Sequence, residues 1–146
     1  MKTLFILAGM IILTACQKEN NQRLPAVSRT IFFKNNADAS RKIQTVLDQR
    51  SLGEKLERIE SVSYIDSKDK SYAFVFYTSN KGSGNVILQQ QYLNGQALAL
   101  SSVTCSGTNC NCQVKTIISN SGSVTLDCSC SSCTMLINSV AGPGYH

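Results

Sequence analysis

The sequence predicts an α+β fold: short helical segments packed on an antiparallel meander of about six strands that ends in a cysteine-rich hairpin. Three observations carry this reading. Apolar residues recur at helical spacing up to Ile59, and from Val62 onward at alternate positions or in short solid runs. Turn signals then punctuate the chain at Lys81-Gly82-Ser83-Gly84, Leu93-Asn94-Gly95-Gln96 and Asn120-Ser121-Gly122-Ser123. Six of the seven cysteines fall between Cys105 and Cys133.

The chain opens with a short basic stretch, Met1-Lys2-Thr3, and an apolar run from Leu4 to Leu13. That run is too short for a comfortable transmembrane helix but suits the core of a signal peptide. It closes in Leu13-Thr14-Ala15-Cys16: a branched apolar residue, two small residues, then cysteine. This stretch resembles the lipobox of bacterial lipoproteins. The resemblance covers residues 1–16. It implies a signal peptide at 1–15, cleavage before Cys16, and palmitate-type acylation of the Cys16 sulfur and the new amino terminus. Several acyl chains anchor stably where one would be marginal, so the membrane is the partner implied for Cys16. Gln17 stands where lipoproteins kept at the inner membrane usually carry Asp, which implies the outer membrane. Cys16-Gln17-Lys18-Glu19-Asn20 is also similar to the export tag of some surface lipoproteins of Gram-negative bacteria, Gln-Lys followed by acids, of which only Glu19 is present. Periplasmic and surface-facing orientations both stay open. Residues 16–29 are polar, contain Pro25 and read as a lipidated tether, with a reach of roughly 40 Å when stretched.

Residues 30–146 suit one domain with a core of its own. Ile31-Phe32-Phe33 predicts a strand. Asp38 is a candidate helix cap, after which Ile43, Val46 and Leu47 share one helical face. Ser51-Leu52-Gly53-Glu54 has the form of a capping box. It predicts a second short helix with Leu56 and Ile59 inward and Glu54–Arg58 as a surface pair. Val62 and Tyr64 then alternate, and Asp66 to Lys70 reads as a charged hairpin loop. Tyr72 to Tyr77 is apolar on both faces, which predicts a central strand covered on both sides, by helices on one of them. Asn85 to Tyr92 and Ala97 to Thr104 predict strands joined through Asn94-Gly95, the strongest short hairpin signal.

The cysteine region, 105–133, predicts a hairpin of Val114 to Ile118 and Val124 to Leu126. Only pairing even with even positions keeps one face apolar. A turn centred on Asn120 pairs Val114 with Leu126, Cys112 with Cys128 and Cys110 with Cys130. Four thiols then share a face, with Cys105 and Cys133 just beyond. Three chemistries compete for Cys105, Cys110, Cys112, Cys128, Cys130 and Cys133. Disulfides fit an exported, oxidising location. Cross-strand neighbours fall within bonding reach, but six cysteines allow many connectivities. A Cys112–Cys128 bridge would contribute about 3 kcal/mol on the chain-entropy account. The alternative is a thiolate site for zinc, copper(I) or an iron–sulfur cluster. Less favoured is redox work at Cys130-Ser131-Ser132-Cys133, which lacks a cation or helix N-terminus to acidify a thiol.

Charge narrows the function classes. The chain is formally +5, and +4 once Lys2 leaves with the signal peptide. Acids interleave with the bases, which argues against nucleic acid. Beyond Lys81 the only charged side chains are Lys115 and Asp127, with His146 left aside. That half lacks groups for acid–base catalysis, and the single histidine closes the chain beside Gly142-Pro143-Gly144. No Ser-His-Asp or Cys-His set is available. Ser67-Lys68-Asp69-Lys70 matches the Ser-x-x-Lys of penicillin-recognising enzymes in four residues but reads as a loop. Gly82-Ser83-Gly84 lacks the rest of a phosphate loop. Glu57 and Glu60 read as a helix surface. The expectation is therefore a lipid-anchored, non-enzymatic binding or structural module of the cell envelope without a cofactor. Its partner would be a protein or glycan of the envelope or cell surface.

Overall fold

The computed structural model describes residues 31–67 and 69–140; the lipobox, Cys16, the tether and His146 lie outside them. Helix α1 (Asn36–Arg50) begins at Asn35, whose side chain accepts from the Asp38 backbone N–H at 2.9 Å. Asn35, not Asp38, is thus the cap. Asp38 instead sits in the first turn, where its carboxylate accepts from the Lys34 N–H and pairs with Lys42. Ile43, Val46 and Leu47 are buried on one face, as their spacing predicts. Ile31 and Phe32 adopt helical backbone rather than the expected strand. A run this short does not fix its own conformation; burial of Phe32 against Phe33 and Tyr64 decides it.

The expected second helix at Ser51–Glu54 is a turn leading into β1 (Leu56–Asp66). The Ser51 N–H already closes α1 on the Leu47 carbonyl, and Gly53 has φ of 75°. Two register irregularities, between Leu56 and Arg58 and between Ile59 and Ser61, explain the misreading. Each bulge adds a residue to the strand, so Leu56, Ile59 and Val62 recur every third position yet all pack on the same core. A bulged strand here imitates helical periodicity.

Strands β2 (Lys70–Ser79) and β3 (Gly82–Leu93) follow as antiparallel neighbours. Ser79 opposes Gly82, so the turn is Asn80-Lys81, tighter than the predicted 81–84. Leu93 opposes Gln96 across Asn94 (φ 52°) and Gly95 (φ 79°). Two positive φ values are the backbone of the twist-matched hairpin turn that Asn-Gly signals. The predicted strand 97–104 is broken in two, β4 (Gln96–Ala97) and β5 (Ser101–Ser106), both paired with β3.

The chain then leaves the sheet. Strands β6 (Val114–Ile118) and β7 (Val124–Cys128) form a separate two-stranded ladder, and β8 (Thr134–Ser139), which the sequence reading missed, returns to pair with β5. The main sheet runs β1-β2-β3-β5-β8, with β4 beside β3. The meander therefore does not end in the cysteine hairpin; the hairpin is an excursion laid over one sheet face.

Two apolar clusters result, one on each face of β2. Ala73, Val75 and Tyr77 meet α1 through Ile43, Val46 and Leu47. Tyr72 and Phe74, with Ile87, Val103 and Cys105, meet Val114, Leu126 and Cys128 of the hairpin. The solid apolar run of β2 is thus explained: helix covers one face and hairpin the other. Among the described residues no helix is long and apolar enough to cross a membrane.

Candidate functional site

The cysteines gather where the hairpin meets the sheet. The even-with-even face holds, but the register is two residues from that expected: Val114 opposes Cys128, and Thr116 opposes Leu126. The turn sets this. Ser119 N–H donates to the Ser123 carbonyl at 2.9 Å, Gly122 N–H donates to the Ser119 carbonyl, and Gly122 has φ of 77°. The loop is centred on Ser121, not Asn120.

That shift chooses the sulfur partners. Cys128 faces the sheet and bonds Cys105 of β5, not Cys112. Cys110 bonds Cys130, the pair the sequence placed together, although both lie past the ladder. Cys112 bonds Cys133, just before β8. The first cysteine of the group joins the fourth, the second the fifth and the third the sixth, with Cα separations of 5.8, 6.8 and 5.8 Å. Cys105 is 2 % exposed, whereas the other five are only partly buried.

Two of these bridges touch. Cys110 Sγ lies 3.8 Å from Cys112 Sγ and 3.2 Å from Cys133 Sγ. Gly107 permits the approach. A Cβ there would stand 2.8 Å from Cys112 Sγ and from the Ser132 carbonyl oxygen. Ser129 ties the flanking loops: its hydroxyl accepts from the Gln113 N–H at 3.0 Å and donates to the Asn111 carbonyl at 3.1 Å.

Asn85 of β3 fastens the hairpin to the sheet. Its side-chain amide donates to the Val114 carbonyl and accepts from the Val114 N–H, both at 2.8 Å and both buried. One side chain thereby does the work of a β-bridge and leaves neither backbone group unpaired. In the sequence Asn85 reads only as the first residue of a strand, so the fastening was not visible there.

A cleft of about 190 Å³ opens between the sulfur cluster and the α1–β1 turn. Cys110 and Cys112 line one side; Arg50, Glu54 and Lys81 line the other. Glu54, expected on a surface helix with Arg58, is 2 % exposed and accepts from Arg50 at 2.5 and 2.6 Å and from Ser79 Oγ at 3.0 Å. Arg58 pairs instead with Glu60, on β1 rather than on a helix. Burial pushes the Tyr77 hydroxyl beside Glu54 up to about 12. The Lys81 ammonium donates to Ser51 Oγ at 2.7 Å and the Leu52 carbonyl at 3.0 Å. These cations come from residues remote in sequence, which is why the cysteine stretch read alone showed none nearby. Ser67, of the Ser-x-x-Lys stretch, lies in the β1–β2 loop and donates to the Gly122 carbonyl in the β6–β7 turn; Lys68 lies outside the described residues.

All six described cysteines are disulfide-bonded. The site is a covalent clamp between hairpin and sheet, and the molecule is a cysteine-stabilised α+β module. No protein-family model, no curated protein and no solved structure matches the chain.

Proposed function

We propose that this protein is a lipid-anchored module of the outer membrane that holds a rigid, nearly uncharged surface toward a protein or glycan partner of the cell envelope and performs no catalysis. The lipobox-like Leu13-Thr14-Ala15-Cys16 supports the anchor, and residues 16–29 would tether the domain to it. The observation that carries the binding reading is the hairpin. Three bridges and the Asn85 amide immobilise it, and it displays Ile117 and Ile118, 60 % and 54 % exposed, amid Ser, Thr and Asn. Rigid display lowers the ordering cost of binding.

Palmitate labelling of cells that express the full chain tests the anchor. Labelling that Cys16→Ser abolishes, with the protein moving from the outer-membrane fraction to the soluble one, is the expected result. Unchanged fractionation would overturn it. Alkylation tests the clamp: the six cysteines of residues 105–133 should react only after reduction. Protease treatment of intact cells separates surface from periplasmic orientation.

A further inference from the structure

We infer that, when its two touching bridges are reduced, the same cluster becomes a four-thiolate site for a tetrahedral thiophilic cation such as Zn(II), with Cys110, Cys112, Cys130 and Cys133 as ligands. This goes beyond the clamp reading. It narrows the metal alternative from six sulfurs to four and makes metal and disulfides rival clamps on the same loops.

The geometry selects these four. A tetrahedral zinc with Zn–S arms near 2.3 Å needs sulfurs about 3.8 Å apart. Cys110 already lies 3.8 Å from Cys112 and 3.2 Å from Cys133, and these three sulfurs all fall within 4.8 Å of one another. Cys130 stands outside that close trio but is bonded to one of its members, Cys110, and supplies the fourth sulfur once that bond opens. Opening the Cys110–Cys130 and Cys112–Cys133 bonds lets each pair of sulfurs separate by side-chain rotation. Cys105 and Cys128 are excluded: they are bonded to each other rather than to any of the close trio, and Cys105 is buried in the sheet-side core. The spacing agrees, since Cys130-Ser131-Ser132-Cys133 supplies a two-residue ligand loop.

Charge agrees too. Two equivalents of a dithiol reduce the two bridges, each dithiol becoming a disulfide and each bridge two thiols. Zinc then displaces four protons, leaving a centre of net charge −2. The cleft beside Cys110 and Cys112 carries Arg50 and Lys81. The Arg50 charge is offset by Glu54, whereas the Lys81 ammonium meets only neutral oxygens among the described residues.

The test uses the full chain with Cys16→Ser, so that the seventh thiol neither reacts nor becomes lipidated. The protein is reduced with limited dithiol until its mass rises by four hydrogens, freed of reductant, and titrated anaerobically with Co(II) and then Zn(II). The expected result is one metal per chain, the visible spectrum of a tetrahedral thiolate cobalt centre, and protection by zinc of those four thiols from alkylation. Cys110→Ser with Cys133→Ser should weaken binding by more than about a hundredfold, beyond the cost of losing a supporting contact. Cys130→Ser, which leaves three sulfurs, should still bind cobalt but with an altered spectrum. The pair Cys105→Ser with Cys128→Ser should keep one metal per chain. Absence of stoichiometric uptake, equal alkylation with and without zinc, or loss of the metal with Cys105 and Cys128 instead would overturn the proposal. None of these outcomes bears on whether the oxidised protein is clamped, which alkylation before reduction reads separately.

Discussion

Asn85 and Gly84, neighbours on β3, show how much of this molecule rests on single side chains, or on the lack of one. Asn85 satisfies both backbone groups of Val114 inside the hairpin–sheet interface. Asn85→Ala would leave a buried N–H and a buried carbonyl unpaired, and should cost roughly 2–4 kcal/mol in denaturant unfolding. A loss under about 0.5 kcal/mol would show that water or a backbone shift replaces the amide. Gly84 lies opposite Tyr77, and a Cβ there would stand 2.5 Å from the Tyr77 hydroxyl oxygen. Gly84→Ala should therefore displace that ring from the Glu54 network and destabilise by about 1–3 kcal/mol. A melting temperature equal to that of the wild type would refute the close approach. Neither role is written locally: the first depends on a partner 29 residues away, the second on a cross-strand register.

At the scale of elements, α1 and the hairpin make opposite points. The helix is locally specified, by the Asn35 cap and the i, i+3, i+4 apolar face. Its electrostatics can be read by titration. Burial raises the Asp38 carboxyl, but the Lys34 N–H and the Lys42 and Arg41 charges outweigh that and hold it below the ordinary carboxylate range. The folded state thus favours the ionised form. Its contribution is complete above about pH 4 and is lost as pH falls through the lower folded value. Asp38→Asn should flatten the acid limb of stability against pH and leave the neutral slope unchanged. An identical acid limb in the variant would rule out this role. The hairpin is locally specified only in its face. Its loop decides the register, and the register decides that Cys128 meets Cys105. That bridge closes a span of 23 residues, so Cys105→Ala with Cys128→Ala should cost about 2–5 kcal/mol under oxidising conditions. No measurable loss would mean that the other two bridges and Asn85 suffice to hold the hairpin.

The molecule as a whole is three layers: helix, sheet, disulfide-bonded hairpin. The middle layer is where chain order and spatial order part, because β8 pairs with β5 only after the hairpin has crossed the sheet face. Layering also ranks the bridges. Cys105 is enclosed between sheet and hairpin, whereas the four sulfurs of the other two bridges are partly exposed. Reduction by graded dithiol should open Cys110–Cys130 and Cys112–Cys133 before Cys105–Cys128, as read by mass mapping of alkylated cysteines. The opposite order would contradict the burial of Cys105.

The α+β class, the helical face of α1, the Asn-Gly turn, the doubly covered β2 and the apolar even-numbered face of the hairpin strands were all legible in the residues. Each follows from short-range rules: side-chain period, positive φ at Asn and Gly, and the alternation of a strand. The strand character of Leu56–Ile59, the place of β8, the burial of Glu54 and the pairing of the six sulfurs were not. Each depends on a contact between distant segments: a pair of bulges against β2, a fifth strand position beside β5, Arg50 folding over a turn, and a two-residue choice of register. Local chemistry determined which faces are apolar and where thiols collect. Only the packing of one face on another decided which thiol meets which, because cross-strand partners change with every residue of slip while the face they share returns with every second one.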